Sequence, residues 1–164
     1  MTTPTPAAPF DPEARLLELG LTLPESAQPV AAYIPFRRTG NLLFIAGQIP
    51  MKSGTMIAKG SIPSVVSMEM ANECARQCVL NGLANVKAAV GSLRNIRQAV
   101  RLGVFVASDA GFYDQPKVAN AASELLVSIL GERGQHARAA VGTNCLPLGA
   151  PIEIEFLFEV QDGE

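Results

Sequence analysis

The sequence predicts an α+β layer fold, and three observations carry that expectation. Two segments, near residues 67–91 and 115–131, show helical periodicity with one apolar stripe each. β-rich runs flank and separate them. The order along the chain is strands, helix, strand, helix, two strands. A helix with a single apolar stripe buries it against one partner, so both helices are expected on one face of a common sheet.

The elements follow in chain order. The opening "MTTPTPAAPF" has no basic residue and no apolar core, which does not fit a secretory signal. Its Pro/Thr/Ala content predicts a flexible lead over residues 1–9, ahead of a single domain over 10–164. "DPEARLLELG" reads as a short helix, capped by Asp11, with Pro12 in the first position and Gly20 closing it. From Val30 to Ile49, two β runs surround "RRTGN", a hairpin signal. A third short strand is expected over Met51–Lys59, interrupted at Ser53-Gly54.

"SMEMANECARQCVLNGLANVKAAVG" is the clearest helix. Ser67 is the expected cap, Glu69 suits the first turn and Gly91 ends it. Ala71, Cys74, Ala75, Cys78, Gly82, Val86 and Ala89 form its stripe. "IRQAVRLGVFVAS" reads as a strand, with Val100, Leu102, Val104 and Val106 on one face and Arg101, Gly103 and Phe105 on the other. The second long helix is expected from Gln115 to Leu130, with Pro116 in its first turn, Gly131 after it, and Val118, Ala122, Leu125 and Ile129 inward. "HARAAVGTNCLPLGAPIEIEFLFEV" supplies two strands about a Pro/Gly turn. In the second, Ile152, Ile154, Phe156, Phe158 and Val160 alternate with Glu153, Glu155, Leu157 and Glu159.

Composition bounds the function. A chain of 164 residues buries roughly 70% of its unfolded surface and needs no staples. Hydrophobic residues make up 48%, charged ones 17%, tryptophan is absent, and mean hydropathy is +0.23. So little charge predicts that part of the surface is covered by further copies of the chain. No apolar run approaches the ~18 residues of a membrane span. A net charge of −2 gives no general attraction for phosphate backbones, which argues against nucleic acid as a partner. Three cysteines, an odd number, fit a reducing cytoplasm.

Phosphate loops, dinucleotide fingerprints and nucleophile elbows are all missing. Cys74, Cys78 and Cys145, with His136 as the only histidine, lack the spacing of a zinc site, so neither metal nor cofactor is expected. Cys74 and Cys78 read as small core residues, and His136 as a turn residue before a strand. Arg138 stands on an otherwise smooth strand with nothing acidic near it in sequence. It is either a solvated charge or the anchor of a site. Glu153 and Glu155 share one strand face and fit solvated charges as well as chemistry. Tyr33 and Asn120 say nothing by themselves.

Two segments add a resemblance. "TGNLLFIAGQIP" (39–50) and "HARAAVGTNCLPLGAPIEIEFLFEV" (136–160) resemble the two signature strand regions of the RidA family, also called YjgF/YER057c/UK114. "VANAASELL" (118–126) resembles its second-helix segment. The similarity runs from about Val30 to Val160. It implies a chorismate-mutase-like α+β domain with a mixed sheet, two main helices on one face, and homotrimers with clefts between subunits. It implies hydrolysis of 2-imino acids or their enamine tautomers to 2-keto acids and ammonia, without a cofactor, on a small carboxylate-bearing metabolite. An alternative is a carboxylate-binding or regulatory protein without turnover. Endoribonuclease activity, attributed to some members, sits poorly with one histidine and a negative net charge.

By resemblance, Arg138 matches the arginine that pairs with the substrate carboxylate, and Glu153 the carboxylate near the attacking water. Tyr33 matches a cleft-lining tyrosine of the first strand, and Asn120 an asparagine bordering the cleft. Ala140 stands where many members have a cysteine whose backbone N–H contacts substrate. The departures are Ala32 for a usual proline, Ala46 for a frequent serine, and the Ala139-Ala140 pair. The N-terminal helix and the segment from Met51 to Ser67 are longer than in the compact imine deaminases, so the chain looks more like a longer-chained subgroup.

Overall fold

The computed structural model describes residues 10–26 and 32–163, so the expectation for residues 1–9 lies outside them. The order is α1 (Pro12–Glu18), β1 (Phe36–Thr39), β2 (Leu42–Gln48), β3 (Met51–Lys52), β4 (Thr55–Met56), α2 (Met68–Val90), β5 (Ile96–Ala107), α3 (Gln115–Leu130), β6 (Ala137–Thr143) and β7 (Ile152–Val160). Five strands form one sheet in the order β1-β2-β7-β5-β6. Only the β5–β6 pair is parallel; the other neighbours run antiparallel, so the sheet is mixed. The α+β expectation, with α2 and α3 on one face, holds.

Local chemistry accounts for the ends. Asp11 Oδ1 accepts from the Ala14 N–H at 3.1 Å, and Ser67 Oγ from the Met70 N–H at 3.2 Å. Gly91 takes φ +82°, which glycine adopts without a Cβ clash, and its N–H donates to the Lys87 carbonyl as α2 ends. The β1–β2 hairpin turns on Gly40-Asn41, with Thr39 opposite Leu42. α1 is tied down by Glu13, which accepts from the Leu93 N–H at 3.1 Å and from Ser92 Oγ at 3.1 Å, and by the Arg94–Asp11 ion pair.

The core lies between the sheet and the two long helices. Leu43 and Ile45 of β2, Leu102 and Val104 of β5, and all five expected residues of β7 are buried there. Gly82 lets α2 approach β7: a Cβ there would sit 2.7 Å from the Phe156 ring.

Four expectations need correction. The β5–β7 register slips between Ala99 and Arg101, so Ala99 rather than Val100 turns inward; a bulge breaks the period-2 rule. In place of one strand over Met51–Lys59 there is a separate two-stranded ribbon, β3 (Met51–Lys52) with β4 (Thr55–Met56), and residues 57–59 are outside any strand. Tyr33 precedes β1 instead of lying in it. On α3, Leu125 is only half-buried, and Leu126 and Leu130 join the inward set.

α2 is also buried more widely than one stripe, and Gln77 and Asn85 go inside with it. Gln77, Asn81 and Asn85 recur at a spacing of four and form one polar row. Gln77 Nε2 donates to Asn81 Oδ1 at 2.9 Å. Asn81 Nδ2 donates to the Ile49 and Met51 carbonyls at 3.0 Å each, tying the start of the ribbon to the helix.

Candidate functional site

β6 is an edge strand, and its register places Arg138 opposite Leu102, a core residue of β5. Arg138 therefore projects to the helix side, over α3. Its Nη1 donates to Asn120 Oδ1 at 3.1 Å and to Ser123 Oγ at 2.9 Å, and its Nη2 to the Pro116 carbonyl at 3.4 Å. All three acceptors are neutral. No carboxylate lies within 4.0 Å of this guanidinium among the described residues. A guanidinium has five N–H donors. Nε–H and one Nη2–H thus have no partner among the described residues, and the Nε/Nη2 side is the edge by which a guanidinium takes a carboxylate side-on. Ala140, two positions along the same face, is half-buried and packs against the core.

Glu153 lies elsewhere. β7 carries it opposite Phe105, on the sheet face away from the helices. Its carboxylate rests against Gly47 at the β2 bulge, where a Cβ would meet Oε1 and oblige the Glu153 side chain to move. It has no hydrogen-bond partner among the described residues. Partial burial, and then the neighbouring Glu155 charge, raise its pKa above the usual carboxylate value. Glu155 is instead paired with Arg101 at 2.9 Å. Tyr33 belongs to this region. It lines a pocket of about 550 Å³ with Gly47, Gln48, Asn81 and Asn85, between the segment before β1, the β3–β4 ribbon and α2.

The five expected site residues thus form two groups. Arg138, Asn120 and Ala140 sit at the β6 edge with α3; Glu153 rests on Gly47 from the open sheet face, and Tyr33 lines the pocket that includes Gly47 and is not lined by Glu153. Two strand spacings and three residues of register put the Arg138 and Glu153 Cα atoms roughly 14 Å apart, with their side chains on opposite faces.

Sequence reasoning missed the support of the first group. Ser123 and the half-buried His136 belong to it, with His136 Nε2 2.9 Å from Ser123 Oγ and Nδ1 2.6 Å from the Gly134 carbonyl. The signal was present: Asn120 and Ser123 are three apart and share a helix face. The α2 amide row, spaced by four, was equally readable.

Cys74 and Cys78 are buried and Cys145 is exposed; all three thiols are free. Burial pushes Cys74 up to about 11 and Cys78 well above its ordinary value, so neither is a thiolate near neutrality. Among the described residues no three His, Cys, Asp or Glu side chains gather as a metal site, and no helix is long and apolar enough to cross a membrane.

A mixed five-stranded sheet with two helices on one face and an arginine at the sheet edge that has no carboxylate partner among the described residues define a small α+β protein. Residues 13–160 match the family described as "YjgF/chorismate-mutase-like, putative endoribonuclease", and the chain belongs to that family. Protein TCP17 of Trypanosoma cruzi is 36% identical over 150 residues, covering 91% of this chain and 94% of its own. The crystal structure of Atu1372 from Agrobacterium tumefaciens, a protein of unknown function, is 45% identical, covers 92% of each chain and superposes with a TM-score of 0.86. YjgF of E. coli is 26% identical over 84% of this chain and 94% of its own, with a TM-score of 0.61. The fold is thus shared with YjgF, and the nearer match in shape to Atu1372 agrees with the longer-chained character read from the sequence.

Proposed function

We propose that the protein hydrolyses small 2-imino acids, or their enamine tautomers, to 2-keto acids and ammonia, in clefts formed between copies of the chain. The observation that carries this reading is Arg138: a fixed guanidinium with neutral acceptors on one side and a free donor edge on the other. Such a group binds a carboxylate bidentately at any working pH.

The carbon of an iminium group is already electrophilic, so positioning and a modest general base suffice. Arg138 would hold the substrate carboxylate, with Asn120 and the Ala140 backbone beside it. Glu153 would take a proton from water as the water oxygen bonds to C2. It would return that proton to nitrogen and, as the C–N bond breaks and the C2–O double bond forms, take the remaining hydroxyl proton, which then passes to the departing ammonia as ammonium. A carboxylate with a raised pKa and no fixed partner suits these transfers. Tyr33 would line the same cleft.

Arg138 and Glu153 of one chain face opposite ways, so a common site needs Glu153 from a neighbour. The open sheet face supports such an assembly, a homotrimer on this reading. Phe44 and Val141 each remain 46% exposed on that face, apolar area that a neighbouring copy would cover.

Ammonia release from freshly generated 2-iminobutyrate tests the reading. Arg138→Ala should lower it by on the order of a hundredfold or more, the cost of losing a bidentate charge pair. Full activity in that variant would sink the mechanism. Mixed assemblies give a sharper test. R138A protomers supply Glu153 and E153Q protomers supply Arg138, so co-assembled samples should regain part of the activity that each lacks alone. No recovery would mean that one chain carries both groups.

The separation of the two groups also supports a second reading, a carboxylate-binding protein without turnover. Under it 2-keto acids raise the melting temperature through Arg138 while no ammonia appears.

A further inference from the structure

The lone histidine has no part in the hydrolysis just described, yet its contacts lead to Arg138. The Gly134 carbonyl only accepts, so the 2.6 Å contact requires a proton on His136 Nδ1. In the neutral ring Nε2 is then bare and accepts. Ser123 Oγ, 2.9 Å away, supplies its one hydroxyl proton to that nitrogen. With the proton committed, the hydroxyl oxygen presents lone pairs to Arg138 Nη1 at 2.9 Å. Donors and acceptors alternate without conflict from the guanidinium through Ser123 and His136 to the backbone. Were Nε2 protonated instead, Nδ1 would face a carbonyl with no hydrogen between them, and Ser123 would receive two donors and have its own proton unplaced.

We propose that His136 is a positioning residue for the anion site: by accepting the Ser123 hydroxyl's hydrogen bond, it fixes that oxygen as an acceptor for Arg138 and keeps the guanidinium's Nε/Nη2 edge turned toward ligand. This rests on the reading of Arg138 as a carboxylate anchor, although the tautomer and the guanidinium's immobility do not depend on any ligand. His136 touches neither substrate nor Arg138 itself. Removing it frees the Ser123 hydroxyl to rotate, and Nη1 then meets either a proton or a lone pair.

Two measurements separate this from plain structural support. In the ligand-free protein, nitrogen NMR should show His136 protonated on Nδ1 and bare at Nε2. The Arg138 guanidinium should show separate Nη1 and Nη2 signals on cooling that merge in Ser123→Ala. With 2-ketobutyrate as probe, Ser123→Ala and His136→Phe should each weaken binding about tenfold, the scale of a hydrogen bond to a charged group. The double variant should be no weaker than either single, because both remove one linkage. His136→Gln, which can donate to Gly134 and accept from Ser123, should recover most of the affinity. In any turnover assay KM should rise while kcat stays within about twofold. If His136→Phe fails to fold, Ser123→Ala, a small change at a half-buried helix position, still decides the matter.

An Nε2–H tautomer, wild-type affinity in Ser123→Ala, or additive losses in the double variant would overturn the proposal. Binding of 2-ketobutyrate that survives Arg138→Ala would instead overturn the carboxylate-anchor reading, with the tautomer and guanidinium signals still reporting on His136.

Discussion

The two faces of the five-stranded sheet use alternate residues of the same strands, one almost wholly apolar and the other mixed apolar and charged, and they end in different states. On the helix side Phe158, Ile154, Leu102 and Leu43 are fully buried under α2 and α3. On the other side Phe44 and Val141 stay half exposed, the Arg101–Glu155 pair lies in the open, and Glu153 rests on a glycine without a partner among the described residues. The covered face is satisfied by its own chain. The open face retains unsatisfied chemistry and apolar area, the combination expected where another molecule completes a surface.

Truncations across the two faces should separate them most widely. Phe158→Ala should cost about 3–5 kcal/mol by urea denaturation, whatever the protein concentration. Phe44→Ala should cost little in a dissociated chain and more as concentration rises, because copies that cover this face stabilise by mass action. Concentration-independent losses in Phe44→Ala would remove the support for self-association.

Gly82→Ala probes the covered face from the helix. Overpacking against the fixed Phe156 ring costs about 1–3 kcal/mol, and the better helix propensity of alanine returns up to about 1. A net loss of about 1 kcal/mol in the denaturation midpoint is expected. A gain would mean that the interface yields more than tight packing allows.

Glu153 sharpens the comparison through pH. Its pKa is raised above the ordinary 4.5 by burial and by Glu155. The native protein holds that proton more tightly than the unfolded chain does, so this group favours folding most below the ordinary value. Its contribution is lost as pH rises through the raised one. Glu153→Gln should therefore flatten the decline of melting temperature over that interval, gaining stability at neutral pH and none in acid. A decline equally steep in the variant would assign it to other groups. The smallest effect belongs to Arg101→Ala: its ion pair with Glu155 is half exposed, and it should shift stability by less than about 1 kcal/mol.

The helices were legible because their signals are local. Ser67, Gly91, Asp11 and Gly131 mark ends through hydrogen bonds and dihedral angles within a few residues. β7 was legible because strict alternation admits one register. β5 was misread at Ala99, since a bulge depends on the partner strand and leaves no trace in one-strand periodicity. Tyr33 fell outside β1 for a similar reason: apolar residues extend beyond the last ladder bond.

The site divides in the same way. Arg138 and Glu153 could be singled out by type and by resemblance, but not their surroundings. Ser123 and His136 lie thirteen residues apart and meet only because α3 packs over the β6 edge.

The sequence by itself determined where the long helices and the main strands lie and the inward face of β7, because capping, backbone preference and hydrophobic period act over a few bonds. Only the tertiary structure decided that Arg138 and Glu153 point to opposite faces, and that a histidine and a serine hold the arginine. Strand order and register arise from packing the whole core at once, and no single stretch of chain encodes them.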